Sequence, residues 1–170
     1  MLSDLYPDTL TSISNLGVIL LDQSKDADAG GLFQQALERR RKVLDSDHPN
    51  TLSSMHDLAR FHLERGNLEV AEAINRDLVG IKSRILGERH PNTIATVNNP
   101  AMVLGEQEKY EEAEGIAQRA VEVSQKVFGK DHPNSLICVE NLSWVLELQK
   151  GRREKKPAAW RNMFKKFRIG

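Results

Sequence analysis

The sequence predicts an all-α fold, an α-solenoid of about four helical hairpins in tandem with the last one degenerate. Three observations predict it. The stretch Tyr6-Pro7-Asp8-Thr9-Leu10 returns as His48-Pro49-Asn50-Thr51-Leu52, His90-Pro91-Asn92-Thr93-Ile94 and His132-Pro133-Asn134-Ser135-Leu136, each time after 42 residues. Each period holds two apolar stripes at three- and four-residue spacing, the signature of two amphipathic helices. The polar links between stripes run to two to six residues, too short for anything but an antiparallel return. Between the second and third copies 12 of 42 aligned positions are identical, so the units are copies of one supersecondary element.

The repeats fall at about 6–47, 48–89, 90–131 and 132–149, an array over 1–149 that leaves 150–170 as a basic linker and an amphipathic helix. In the first repeat Pro7 suits an opening turn, where its missing N–H has no partner to lose. Leu10, Ile13, Leu16, Gly17 and Leu20 form the first stripe; after Ser24-Lys25-Asp26 come Ala29, Phe33, Ala36, Leu37 and Val43. The second repeat runs Leu52, Met55, Leu58, Ala59 and His62, turns at Gly66-Asn67, and continues with Leu68, Ala71, Ile74, Leu78, Ile81 and Ile85. The third runs Ile94, Val97, Ala101 and Leu104, then Tyr110, Ala113, Ile116, Ala117, Ala120, Val123 and Val127. Gly87 and Gly129 stand just past the second helices, where a left-handed residue is wanted.

Two places strain the pattern. Pro100 replaces the leucine of Leu16, Leu58 and Leu142 inside a helix, at a cost of about 3 kcal/mol, and predicts a kink. Gly30-Gly31 also falls within a helix, at about 1 kcal/mol per glycine relative to alanine.

The fourth repeat keeps its first helix through Leu136, Val139, Leu142, Val145 and Leu146. Lys150-Gly151-Arg152-Arg153-Glu154-Lys155-Lys156 is too charged to pack, and Pro157 restarts a helix. There Trp160, Met163, Phe164 and Phe167 recur at i, i+3, i+4 and i+7, with Arg161, Lys165, Lys166 and Arg168 around them, a basic amphipathic helix. Such a helix suits a cap that gives the array a soluble end, and it equally suits a membrane surface or a helix-binding partner.

Formal charge is zero over the chain, but residues 150–170 hold nine Lys/Arg and one acid, so the tail carries +8 and the body −8. An acidic body does not attract nucleic acid. The single cysteine, Cys138, excludes an internal disulfide framework and fits a reducing compartment, which points to the cytoplasm. The first residues lack the basic and apolar regions of a signal peptide, and no apolar run is long enough to span a membrane.

The repeat pattern resembles the tetratricopeptide repeat. Leu16-Gly17, Leu58-Ala59 and Leu142-Ser143 stand at its first-helix signature, and Ala29, Ala71 and Ala113 at its small second-helix position. The 42-residue period, the His-Pro-Asn-Thr opening, Asn98-Asn99 and the junction from Leu86 to Pro91 are similar to the longer repeats of kinesin light chains and of sensor arrays attached to signalling NTPases. The resemblance implies a right-handed solenoid whose first helices line a concave groove that holds a peptide of a partner protein. It places a polar column on Asn15, Asp57, Asn99 and Asn141, with Val18, Arg60, Met102 and Trp144 one turn along and His56, Asn98 and Glu140 beside them. Amide side chains there offer an extended ligand both donor and acceptor.

No phosphate loop, H-E-x-x-H, paired C-x-x-C or G-x-S-x-G is present. His48, His90 and His132 sit on successive stacked units about 8–10 Å or more apart, whereas zinc ligands lie about 2 Å from the metal; their expected work is to shape the turn before each proline. His62 falls on an apolar stripe and reads as a hydrogen-bonded interior histidine, and Cys138 as a small buried residue. The expected function is a non-enzymatic adaptor without cofactor or metal, binding a protein or peptide partner in the groove. The alternative is the basic C-terminal helix acting on a membrane surface or a helix-binding partner, through Trp160, Phe164, Phe167, Lys165 and Lys166, with the repeats as a spacer.

Overall fold

A computed structural model describes residues 7–23 and 25–151. Seven helices occupy them: α1 (Pro7–Asp22), α2 (Asp26–Val43), α3 (Pro49–Glu64), α4 (Leu68–Leu86), α5 (Pro91–Glu106), α6 (Tyr110–Phe128) and α7 (Pro133–Gln149). Among the described residues there is no strand. The fold is the all-α, hairpin-repeat class that the 42-residue period predicts. The basic helix expected after Pro157 lies outside the described residues.

The histidines start the helices. Nδ1 of His48, His90 and His132 accepts the backbone N–H of Asn50, Asn92 and Asn134, each at 3.1 Å. The imidazole thus takes the place that a serine or aspartate oxygen usually fills at a helix start, and the proline behind it gives up an N–H that had no partner. The second helices end as predicted at Gly87 and Gly129, whose φ of 87° and 93° are open to glycine and strained for other residues. Inside the hairpins the turn residue is Gly66 at φ 73°, and 42 positions on Glu108 holds the same turn at φ 65°.

The chain divides into two compact units after Thr96. In the first, Val18, Leu21, Phe33, Leu37, Leu52, Met55, Leu58 and Leu78 form the core, with Phe61 and Ile74 packed against it. On α1 the predicted stripe holds at Leu10 and Gly17, which are buried, and at Leu20, which packs on the core, but not at Leu16, which is 47% exposed; Val18 and Leu21 also point inward. In the second unit the interior is Ala101 to Leu104 of α5, Ala113, Ala117 and Ala120 of α6, and Cys138, Trp144, Val145 and Leu148 of α7. On α7 the predicted stripe is buried at Val145 and half-buried at Leu142 and Leu146, while Leu136 and Val139 are exposed.

The two glycines of α2 differ in their surroundings. Gly30 faces the ring of Phe61 and has no room for a Cβ, whereas Gly31 meets nothing. α5 continues through Pro100, which is buried. Having no N–H, Pro100 gives the Thr96 carbonyl none of the i→i−4 hydrogen bond a helix normally makes.

Candidate functional site

The predicted column separates by unit. In the first unit Asn15 is exposed on α1, and His56, Asp57 and Arg60 are half-buried on one face of α3. Val18 is part of the core. In the second unit Glu140 is exposed, but Asn98, Asn99, Met102, Asn141 and Trp144 are all buried. The tail residues Trp160, Phe164, Phe167, Lys165 and Lys166 lie outside the described residues.

Around α3 the first unit gathers charge that the apolar stripes do not foretell. Arg40 of α2 is buried and ties three helices together. Its Nη1 donates to the Asn50 carbonyl at 3.0 Å and to Ser54 Oγ at 2.6 Å, and its Nη2 to Thr11 Oγ1 at 3.1 Å. Burial lowers its pKa, and the Asp57 carboxylate opposes that shift. Lys82 of α4 donates to Thr96 Oγ1 at 2.7 Å, and burial pulls its pKa down too. Arg60 pairs with Glu64 at only 4.0 Å, and its Nε is buried with no hydrogen-bond partner.

His56 sits among these cations. Desolvation, and then the charges of Lys82 and Arg60, push its pKa down to about 4. It is therefore a neutral imidazole at physiological pH, offering one donor and one acceptor. His56, Asp57 and Arg60 together present a partly open polar face with a carboxylate, a guanidinium and an uncharged ring one turn apart.

In the second unit the polar residues serve the interior. Asn98 donates through Nδ2 to Cys138 Sγ at 3.1 Å, joining α5 to α7. Its Oδ1 and both amide atoms of Asn141 have no hydrogen-bond partner among the described residues. The Trp144 ring covers Gly105, where a Cβ would lie 2.8 Å from Cζ3.

Arg40 and Lys82 were missed by the sequence reading, although a signal existed. Arg40 continues the inward series Phe33, Ala36, Leu37, and Lys82 continues Ala71, Asn75, Leu78. A charge on an inward stripe keeps its company only if it is paired or hydrogen-bonded. His62 is half-buried rather than interior; its Nδ1 lies 3.4 Å from Asn67 Nδ2, and burial lowers its pKa. Among the described residues no group of His, Cys, Asp and Glu is placed to hold a metal ion, and no helix is long and apolar enough to cross a membrane.

The family model described as tetratricopeptide repeat matches residues 8–84 and 93–155. Among solved structures, a point variant of a Podosopora anserina kinesin light chain protein with nearly identical TPR-like repeats is 24% identical, with a TM-score of 0.77 over 87% of this chain and 70% of its own. The same protein without the substitution is 23% identical, with a TM-score of 0.75 over 98% of this chain and 80% of its own. BtubC (BKLC) from P. vanneervenii is 19% identical, with a TM-score of 0.66 over 86% and 63%. At these identities the likeness is one of fold. No curated protein matches the chain.

Proposed function

The chain belongs to the tetratricopeptide repeat family, and on that footing we propose that it is a non-enzymatic interaction module holding an extended segment of a partner protein against the open polar face of α3. Repeats of this fold generally mediate protein–protein interaction. The observation that carries the reading is the trio His56, Asp57 and Arg60, which keeps part of its surface while the corresponding Asn98, Asn99 and Met102 of α5 are buried. Arg60 is half-buried and reaches Glu64 only at 4.0 Å, and a carboxylate or carbonyl from a partner would give its guanidinium a strong, charge-assisted bond. Asn15 on α1 adds an exposed amide that can pair with a peptide backbone in either sense.

The test is selection of a displayed library of linear peptides on the full chain, followed by affinity measurements on wild type and on Arg60→Ala and Asp57→Ala. Loss of one charged hydrogen bond of about 1.5–3 kcal/mol weakens binding by about 10- to 100-fold. Selected peptides that bind both variants as tightly as wild type, or a library that yields no binder, overturn the reading.

A further inference from the structure

We propose that the exposed face of α1 is a docking surface for a second copy of this chain, with the two α1 helices packed antiparallel about a two-fold axis. This goes beyond the α3 reading, and its test reads mass rather than peptide affinity. Three observations carry it.

The first is a set of positions that are covered in other helices. Ser12, Leu16 and Ile19 correspond, 42 residues on, to Ser54, Leu58 and Phe61 of α3. Arg40 of α2 donates to Ser54 Oγ at 2.6 Å, Leu58 belongs to the core with Phe33 and Leu37, and Phe61 stands over Gly30. Val103 of α5 and Val145 of α7, which hold the place of Ile19, are fully buried. Only on α1 do all three positions face solvent, with Ser12 exposed, Leu16 47% exposed and Ile19 52% exposed.

The second is a lack of charge. Residues 9–21 hold no Asp, Glu, Lys or Arg. The one other run of such length, 91–105, lies on α5, where it is buried or half-buried apart from Pro91, Asn92 and Ala95. A solvent-facing outer helix of a repeat array is ordinarily polar, because the array must stay soluble. Depletion of charge around apolar side chains is instead the mark of an interface core. A two-fold contact sets one surface against itself, so an excess of either sign within it repels. The body, at −8 over residues 1–149, repels a second copy in general, and the uncharged run is where two such bodies can meet.

The third is spacing. Ser12, Leu16, Ile19 and Gln23 fall four, three and four residues apart, the narrow seam of a two-helix contact. The Gln23 N–H still bonds the Ile19 carbonyl at 3.1 Å, so the seam keeps helical geometry to its end. Its order is polar, apolar, apolar, polar, the same from either direction. Antiparallel pairing therefore sets Leu16 against the second copy's Ile19 on both sides of the axis. It also sets Ser12 against the second copy's Gln23, a hydroxyl and an amide that each donate and accept. Four side chains from each copy cover less than the roughly 800 Å² per partner of a stable complex, so the dimer is weak, with a Kd on the order of 100 μM.

The experiment is sedimentation equilibrium on the full chain from about 10 μM to about 500 μM, a range that brackets such a Kd. The mass should rise towards twice that of the monomer, with little dependence on salt because the seam holds no charge. Leu16→Glu alone and Ile19→Lys alone, both at exposed positions, should each weaken association by about tenfold or more with the helical signal unchanged. Mixed in equal amounts, the two variants should recover it, because the antiparallel register sets the two new charges opposite each other. A wild-type chain that stays monomeric over the whole range overturns the proposal and leaves the face to another protein. So does association that both variants retain, which lies on another surface, or that salt abolishes, which joins the basic tail to the acidic body. A mixture that stays monomeric overturns the antiparallel register and the proposal with it.

Discussion

Phe61 of α3 stands over Gly30 of α2 so closely that a Cβ on Gly30 would lie 2.6 Å from ring Cζ and 2.9 Å from Cε1. The ring cannot easily retreat, because Phe33 holds it at a centroid distance of 5.9 Å and His62 meets it edge-on at 5.4 Å. The neighbouring Gly31 meets nothing within reach. Two adjacent glycines in one helix therefore have different physical reasons.

Gly30→Ala and Gly31→Ala should act in opposite directions. At Gly31 alanine gains helix propensity of about 0.5–1 kcal/mol with no clash. At Gly30 the same gain is outweighed by overpacking that typically costs about 1–3 kcal/mol. Urea unfolding of the two variants checks this; equal shifts of the same sign would show that the ring moves aside freely.

Removing a histidine cap should loosen a helix start without disturbing the core. His90→Ala is expected to cost about 1 kcal/mol, and His90→Asn to restore most of it, since asparagine is a strong N-cap. Thermal melts of wild type and the two variants give the answer, and an alanine variant as stable as wild type would remove the cap from the account.

His56 makes stability fall in acid. Its folded pKa is depressed to about 4 from the ordinary 6.5, so the unfolded chain binds the proton more readily. The contribution is fully present above pH 6.5 and is lost as pH drops from there towards 4, by an amount on the order of 3 kcal/mol. Denaturant titrations of wild type and His56→Gln at pH 7.5 and 4.5 measure it. The wild type should lose more stability over that interval than the variant, and parallel losses would contradict the burial of a neutral ring.

Arg40 should be among the costliest residues to truncate. Arg40→Ala removes the bonds to Ser54, Thr11 and the Asn50 carbonyl, and losing charged hydrogen bonds of this kind costs about 2–4 kcal/mol in sum. Arg40→Lys should recover less than half, because an ammonium lacks the fork that reaches two helices at once. Calorimetric melting distinguishes these outcomes, and full rescue by lysine would show that charge alone matters.

Pro100→Leu should strengthen α5. It returns the N–H that the Thr96 carbonyl lacks and the residue found at Leu58, for a gain of about 1–3 kcal/mol less any overpacking at this buried site. Slowed amide exchange around residue 100 would register it, and unchanged exchange would mean that Thr96 already has a substitute partner.

Much of the fold was legible because it is periodic. The 42-residue recurrence fixed the hairpins, and Gly66, Gly87 and Gly129 were readable as turns from local chemistry alone. What failed was the detail of phase: α1 buries Val18 and Leu21 and exposes Leu16, although all three are apolar. Composition cannot choose among adjacent aliphatic residues when a helix has neighbours on only one side. The candidate site was legible in outline, since Asp57, Arg60 and His56 were named as a group. Arg40 and Lys82 were not, because the inward stripes they continue do not say which distant group on another helix partners a charge placed there. The burial of Asn141 and Met102 was hidden for a related reason, as it depends on how tightly α5 and α7 close together.

The imidazole caps carry a consequence for how such a chain is inherited. The signal that begins α3, α5 and α7 resides in a few consecutive residues, His-Pro-Asn, and depends on no distant neighbour. A copied or recombined segment of 42 residues therefore brings its own starting mark with it. Arrays of this type can lengthen, shorten or exchange units while each hairpin that carries the mark still knows where to begin.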